Sequence, residues 1–154
     1  MLSNSTQITV LGLTGLLLGL SFALPIQAET CSALKVIGAN GTKVQKTVSP
    51  ISTLVTNNNW NTDFAVTGGR SFNRYVATII PENNANYDVK LNLKYSDNSS
   101  TEVDKRDNVA VKVRQPLRLE GIPRSQGEPF QVNVFVGGIN AIGNTYTVSV
   151  AGCN

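Results

Sequence analysis

Residues 87 to 95 read Tyr-Asp-Val-Lys-Leu-Asn-Leu-Lys-Tyr, an unbroken alternation in which Tyr87, Val89, Leu91, Leu93 and Tyr95 are apolar while Asp88, Lys90, Asn92 and Lys94 are polar. Successive side chains of an extended chain point to opposite faces, so this spacing predicts a strand that buries one face and wets the other. The same period recurs at 109–113 (Val109, Val111, Val113), 116–120 (Leu117, Leu119), 130–136 (Phe130, Val132, Val134, Val136) and 145–150 (Tyr146, Val148, Val150). Weaker segments at 33–37, 43–48, 52–56, 60–66 and 72–80 are separated by Asn40-Gly41, Pro50, Asn57-Asn58-Asn59 and Gly68-Gly69, residue types that favour turns. Between Phe72 and Ile80 both parities carry bulk, which predicts a central strand covered on both faces or a bulged one. No helical stripe competes with this pattern. The expectation is all-β: a single antiparallel β-sandwich, jelly-roll or immunoglobulin-like, of about eight to ten short strands. The last two segments, joined by a glycine-rich connection over 137–144, are expected to pair as a terminal hairpin.

Composition narrows the chemistry. The chain has 154 residues, 13 Lys or Arg against 10 Asp or Glu, and no His. Without His there is no Ser/His/Asp or Cys/His triad, no histidine-ligated zinc and no imidazole proton shuttle. The net charge of +3 is spread thinly, with no basic block that would mark a nucleic-acid footprint. No cofactor is expected.

From Ile8 to Ile26 nineteen uncharged residues run into Pro25-Ile26-Gln27-Ala28, and a polar stretch opens at Glu29. This reads as a signal peptide over 1–28, cleaved after Ala28, leaving one domain over 29–154 that is secreted, periplasmic or at the cell surface and free of the membrane. An uncleaved anchor is the rival reading, since the run is just long enough to span a bilayer; its glycines and Pro25 favour cleavage. In an exported chain Cys31 and Cys153, which stand near the two ends of the domain, are expected to pair. Such a disulfide would close a loop of most of the domain and stabilise it by about 4 to 5 kcal/mol on the loop-entropy model.

Three features are candidate sites. Lys90 and Lys94 share one strand face, Lys112 and Arg114 another, and Arg118 follows on the next segment; were these strands neighbours, the five cations would form an anion-binding face for an acidic polysaccharide. The alternative is that they only keep a sheet soluble. Trp60, the single tryptophan, sits among Asn57, Asn58, Asn59 and Asn61 and is either an aromatic contact for a ligand or a packing residue at a sheet corner. Asp97, Glu102, Asp104 and Asp107 bring calcium-type oxygen donors into the stretch 97–108. Interleaved Lys105 and Arg106 favour a solvated loop there instead, and no metal is assigned.

The run Tyr87 to Tyr95, followed by Phe130-Gln131-Val132-Asn133-Val134-Phe135-Val136 and Asn144-Thr145-Tyr146-Thr147-Val148-Ser149-Val150, resembles the second half of bacterial pre-peptidase C-terminal domains. That resemblance implies a secreted accessory sandwich and carries no functional residue across. Taken together, the residues point to an exported non-catalytic module that binds or builds in the cell envelope or extracellular matrix. Its expected partners are an anionic polysaccharide or another envelope protein. The rivals are a small carbohydrate-active enzyme using paired carboxylates, which requires two converging acids with one pKa raised, and a surface-fibre subunit with an open sheet edge.

Overall fold

A computed structural model describes residues 29–53 and 57–154. The expected signal segment, 1–28, and residues 54–56 of the expected 52–56 strand lie outside the described residues; Ser52 and Thr53 are not in a strand. The strands are β1 (Cys31–Ala33), β2 (Lys35–Val36), β3 (Lys43–Thr47), β4 (Asn61–Ala65), β5 (Arg74–Pro81), β6 (Ala85–Tyr95), β7 (Ser100–Val111), β8 (Leu117–Gly121), β9 (Pro129–Gly137) and β10 (Thr145–Cys153), with one turn of 3-10 helix at Ile139–Ala141. They form two antiparallel sheets. In the first, β10 and β5 are central, β8 closes one edge, and β1 and β3 share the other by pairing with different halves of β10. The second runs β2-β4-β9-β6-β7.

The alternation that predicts β6 also builds the core. Tyr87, Val89, Leu91, Leu93 and Tyr95 are all buried, as are Val132, Val134 and Val136 of β9 beside them; across the sandwich stand Tyr75, Ala77 and Ile79 of β5, Tyr146, Val148 and Val150 of β10 and Leu119 of β8. Burying one face of each sheet against the other is what stabilises such a layered fold. The central position expected for the segment around Val76 is found: β5 lies between β10 and β8, and Val76 on its outer face is 3% exposed.

Two expectations are corrected here. β9 and β10 do not form a hairpin, because β9 pairs with β4 and β6 while β10 pairs with β1, β3 and β5. The connection 138–144, with its 3-10 turn, carries the chain from one sheet to the other, so the apolar faces of the two strands meet across the core instead of side by side. Nor is 97–108 a loop. Only four residues, 96–99, separate β6 from β7: the Asn98 N–H donates to the Tyr95 carbonyl, the Tyr95 N–H donates to the Ser99 carbonyl, and Asn98 takes a φ of 63°. That is a β-turn closed by a left-handed residue, a position asparagine tolerates. The acids beyond it ride on an edge strand, and such strands are polar because one flank stays in water.

β7 carries two extra residues relative to β6, with register shifts between Tyr87 and Val89 and between Leu91 and Asn92. The second shift leaves Val103 without a partner in the ladder, and its side chain lies so close over Gly121 of β8 that a Cβ there would come within 2.1 Å of Val103 Cγ2. Asp104 beside it accepts the Glu120 N–H (3.3 Å) and pairs with Arg106 (2.7 Å). Bulges bend and twist a strand; here they bring β7 against β8, so that each blunts the other's open edge.

At the opposite flank Cys31 and Cys153 are bonded, joining β1 to the last residue of β10. From β5, Arg74 reaches both ways, pairing with Glu29 just before β1 and with Glu120 of β8 (2.6 Å). Among the described residues no helix is long and apolar enough to cross a membrane.

Candidate functional site

With the odd-numbered residues of β6 in the core, its even-numbered ones form the outer face of the second sheet. Register places three rows across four strands: Asn61, Phe135, Lys90 and Lys105; Asp63, Asn133, Asn92 and Glu102; Ala65, Gln131, Lys94 and Ser100. The face is thus an amide- and carboxylate-rich strip with an aromatic ring at one end.

Hydrogen bonds hold the middle of the strip. Asn133 Nδ2 donates to Asp63 Oδ1 (2.8 Å), Lys94 Nζ donates to the same oxygen (3.2 Å), and Asn92 Nδ2 donates to Asn133 Oδ1 (3.4 Å). Partial burial pushes the Asp63 carboxyl up, but hydrogen bonds from Asn133, Gln131 and Lys94 outweigh it and hold the group below its ordinary value of 3.8. Burial in turn lowers the pKa of Lys46, with Asp63 opposing; its ammonium donates to the Asn61 carbonyl (2.7 Å) and to Thr62 Oγ1 (3.1 Å) from behind the strip. Asn133 is 6% exposed and acts as the hub that orients its neighbours, while Asn92, Asp63 and Gln131 remain partly open to solvent.

Phe135 is partly exposed and held by two contacts. Trp60 meets it edge-on, with ring centroids 5.7 Å apart, and Lys90 Nζ lies 5.4 Å from its centroid. Trp60 is itself anchored: its indole N–H donates to the Ser49 carbonyl (2.8 Å), and its ring packs on Gly137. Of the two readings of Trp60, packing describes these contacts, and what the residue packs against is the aromatic of the strip. A Cβ at Gly137 would come within 2.4 Å of Trp60 Cδ2. Gly137→Ala should therefore dislodge the indole, costing about 1 to 3 kcal/mol. Because Trp60 is the only tryptophan, its fluorescence reports the displacement directly, and an unchanged emission maximum would refute the packing described.

The five cations do not share a face. Lys90 and Lys94 lie on this strip, Lys112 and Arg114 lie beyond the end of β7, with Arg114 at a φ of 60°, and Arg118 stands on the outer face of the first sheet opposite Thr78. Alternation fixes the face a residue takes within its own strand but not which sheet the strand joins, so the single stripe dissolves. The two cations that do fall on the strip are matched by acids: Lys94 with Asp63 at 3.2 Å and Lys90 with Glu102 at 3.8 Å. The other acids of 97–108 are also engaged, Asp97 with Arg124 (2.7 Å), Asp107 with Lys105 (3.3 Å) and Asp104 with Arg106.

Sequence reasoning missed Phe135 and Phe130. Phe135 was legible, since it shares parity with Gln131 and Asn133 opposite the buried valines. Phe130 was not; its parity assigned it to the core, yet it is 50% exposed. The ladder explains this: Lys94 pairs with Gln131 while the next residue, Tyr95, pairs with Pro129, leaving Phe130 as the extra residue of a bulge. A bulge re-aims its side chain, and Phe130 lines a recess beside Lys94 of the strip.

No protein-family model matches the chain, and no curated protein matches it in sequence. Solved structures similar to it include a variant of a family 29 carbohydrate-binding module (9% identity, TM-score 0.43, covering 80% of this chain and 91% of that one). Another is the C-terminal family 22 carbohydrate-binding module of Clostridium thermocellum Xyn10B (16%, 0.40, covering 79% and 90%). A third is the xylan-binding family 22 module of Paenibacillus barcinonensis Xyn10C (10%, 0.35, covering 80% and 84%).

Proposed function

We propose that this protein is an exported, non-catalytic module that binds glycan chains on the outer face of its second sheet. The observation that carries the reading is the composition of the strip: amides and a carboxylate, pre-oriented by one another, beside an aromatic ring buttressed by Trp60. Sugars offer hydroxyls that both donate and accept and ring faces of C–H groups that sit on aromatics, so this pairing of groups suits them. The disulfide supports export, since such bonds persist in oxidising compartments.

The paired-carboxylate enzyme required an acid with a raised pKa, and the two carboxyls whose shifts are resolved, Asp63 and Asp97, are both lowered. The ion pairs on Lys90 and Lys94 favour neutral over polyanionic chains, because their charge is already answered within the protein.

A glycan array probed at low and at physiological salt tests the proposal. Binding to neutral chains with little dependence on salt is the expected result, weakened about tenfold by Phe135→Ala or Asn92→Ala with the melting temperature nearly unchanged. Salt-sensitive binding to acidic chains that is lost in Lys90→Ala and Lys94→Ala would restore the polyanion reading, and no binding at either salt would sink the glycan proposal. Binding should also hold steady from neutrality through the ordinary carboxylate range and fall only in more acidic solution, because hydrogen bonds from Asn133, Gln131 and Lys94 keep Asp63 ionised below its usual pKa.

A further inference from the structure

We infer that the strip has a second aromatic subsite at Phe130, so that its ligand is an extended oligosaccharide lying along β9 and not a single sugar. This rests on the glycan reading above and adds the length and direction of the chain. Phe130 and Phe135 stand five residues apart on one strand, about 15 Å along an extended backbone with one bulge. Gln131, Asn133 and Asp63 fill the interval, and Lys94 and Asn92 flank it. Two rings separated by a row of hydrogen-bonding groups match a polymer that repeats apolar ring faces and hydroxyls along its length.

The recess at Phe130 is a distinct feature. With Lys94, Tyr95, Asn98, Ser99 and Ser100 it encloses about 260 Å3, just under the ~300–1,000 Å3 of pockets that hold whole small molecules, as suits one unit of a longer chain. Its rim is rigid where it needs to be. Arg124 clamps the β6–β7 turn, donating to Asp97 (2.7 Å) and Ser99 Oγ (2.9 Å) and lying 3.8 Å over the Tyr95 ring. The side chains of Asn98 and Ser100 make no hydrogen bond among the described residues, which leaves an amide and a hydroxyl for a ligand at this end. The bulge thus leaves an aromatic ring half-exposed beside these polar groups, so a ring face and hydrogen-bonding partners are offered together.

The test is titration calorimetry of the purified protein with xylo- and cello-oligosaccharides from disaccharide to hexasaccharide. Affinity is expected to climb about tenfold with length. Phe130→Ala should abolish that gain and leave the disaccharide untouched, whereas Phe135→Ala should weaken every length. Phe130→Leu, which keeps bulk without the ring, separates stacking from packing and should behave like the alanine variant. If the wild type binds but Phe130→Ala affects all lengths equally, or none, the second subsite is wrong while the glycan reading stands. If the wild type binds none of these sugars and nothing on the array, both fall together.

Discussion

Replacing Cys31 and Cys153 together by serine is expected to lower the unfolding free energy by about 4 kcal/mol. The two residues are 122 apart in sequence, so the bond removes a very large loop-closure entropy from the unfolded chain, and the logarithmic dependence on loop length puts the effect near the top of its usual range. The native state adds little to offset this. β1 pairs with β10 through only three residues, Cys31 to Ala33 against Ala151 to Cys153, and a strand that short depends on the bond to stay docked. Denaturant unfolding of oxidised wild type and of C31S/C153S measures the difference directly. In heat it corresponds to a fall in Tm of about 12 to 20 °C. A loss below about 1 kcal/mol would mean that the backbone bonds flanking this ladder, Thr30 with Asn154 and Leu34 with Val150, already hold the edge in place.

Alkaline pH provides the second large effect. Tyr75, Tyr87 and Tyr146 are fully buried. Burial pushes Tyr87 up to about 12 from 10.0 and raises Tyr75 and Tyr146 as well, because a phenolate is poorly solvated between the sheets. The folded pKa lies above the unfolded one, so the stability these groups contribute is fully present below pH 10 and is lost as the pH rises through the folded value. Each tyrosine that ionises only on unfolding contributes about 1.4 kcal/mol per pH unit between those limits. Three acting together give about 4 kcal/mol per unit, so the protein should keep its full stability at pH 9 and have lost about 4 kcal/mol of it by pH 11. The hydroxyls of Tyr75 and Tyr87 find no hydrogen-bond partner among the described residues. Their phenylalanine variants should therefore fold at least as stably as wild type at neutral pH and flatten the alkaline slope. Loss of stability at pH 7 in Tyr87→Phe, or an unchanged slope, would contradict this account.

The site and the fold were legible to different depths. The alternation over 87–95 is enough to say which of its residues are buried, because period two is a property of the extended backbone and needs no knowledge of partners. The same rule applied to 130–136 succeeds for Val132, Val134 and Val136 and fails at Phe130, where one extra residue in the ladder reverses the side chain's direction. Val103 follows the same logic on β7: its place in a polar run gave no hint of the contact with Gly121. Bulges are decided by the register of a partner strand, and a partner far away in sequence leaves no local mark.

What the sequence by itself determined is most of the strand content, most of the core and, from two cysteines near the two ends of residues 29–154, the disulfide. These rest on local periodicity and on the chemistry of single residue types. Only the tertiary structure decided that β9 and β10 lie in opposite sheets, that Arg118 stands on the far side of the molecule from Lys90 and Lys94, and that Trp60 and Phe135 meet beside the row of Asp63, Asn133 and Asn92. The reason is that backbone alternation specifies a face within one strand, whereas a binding surface is made across strands, and pairing between strands is chosen by the packing of the whole core.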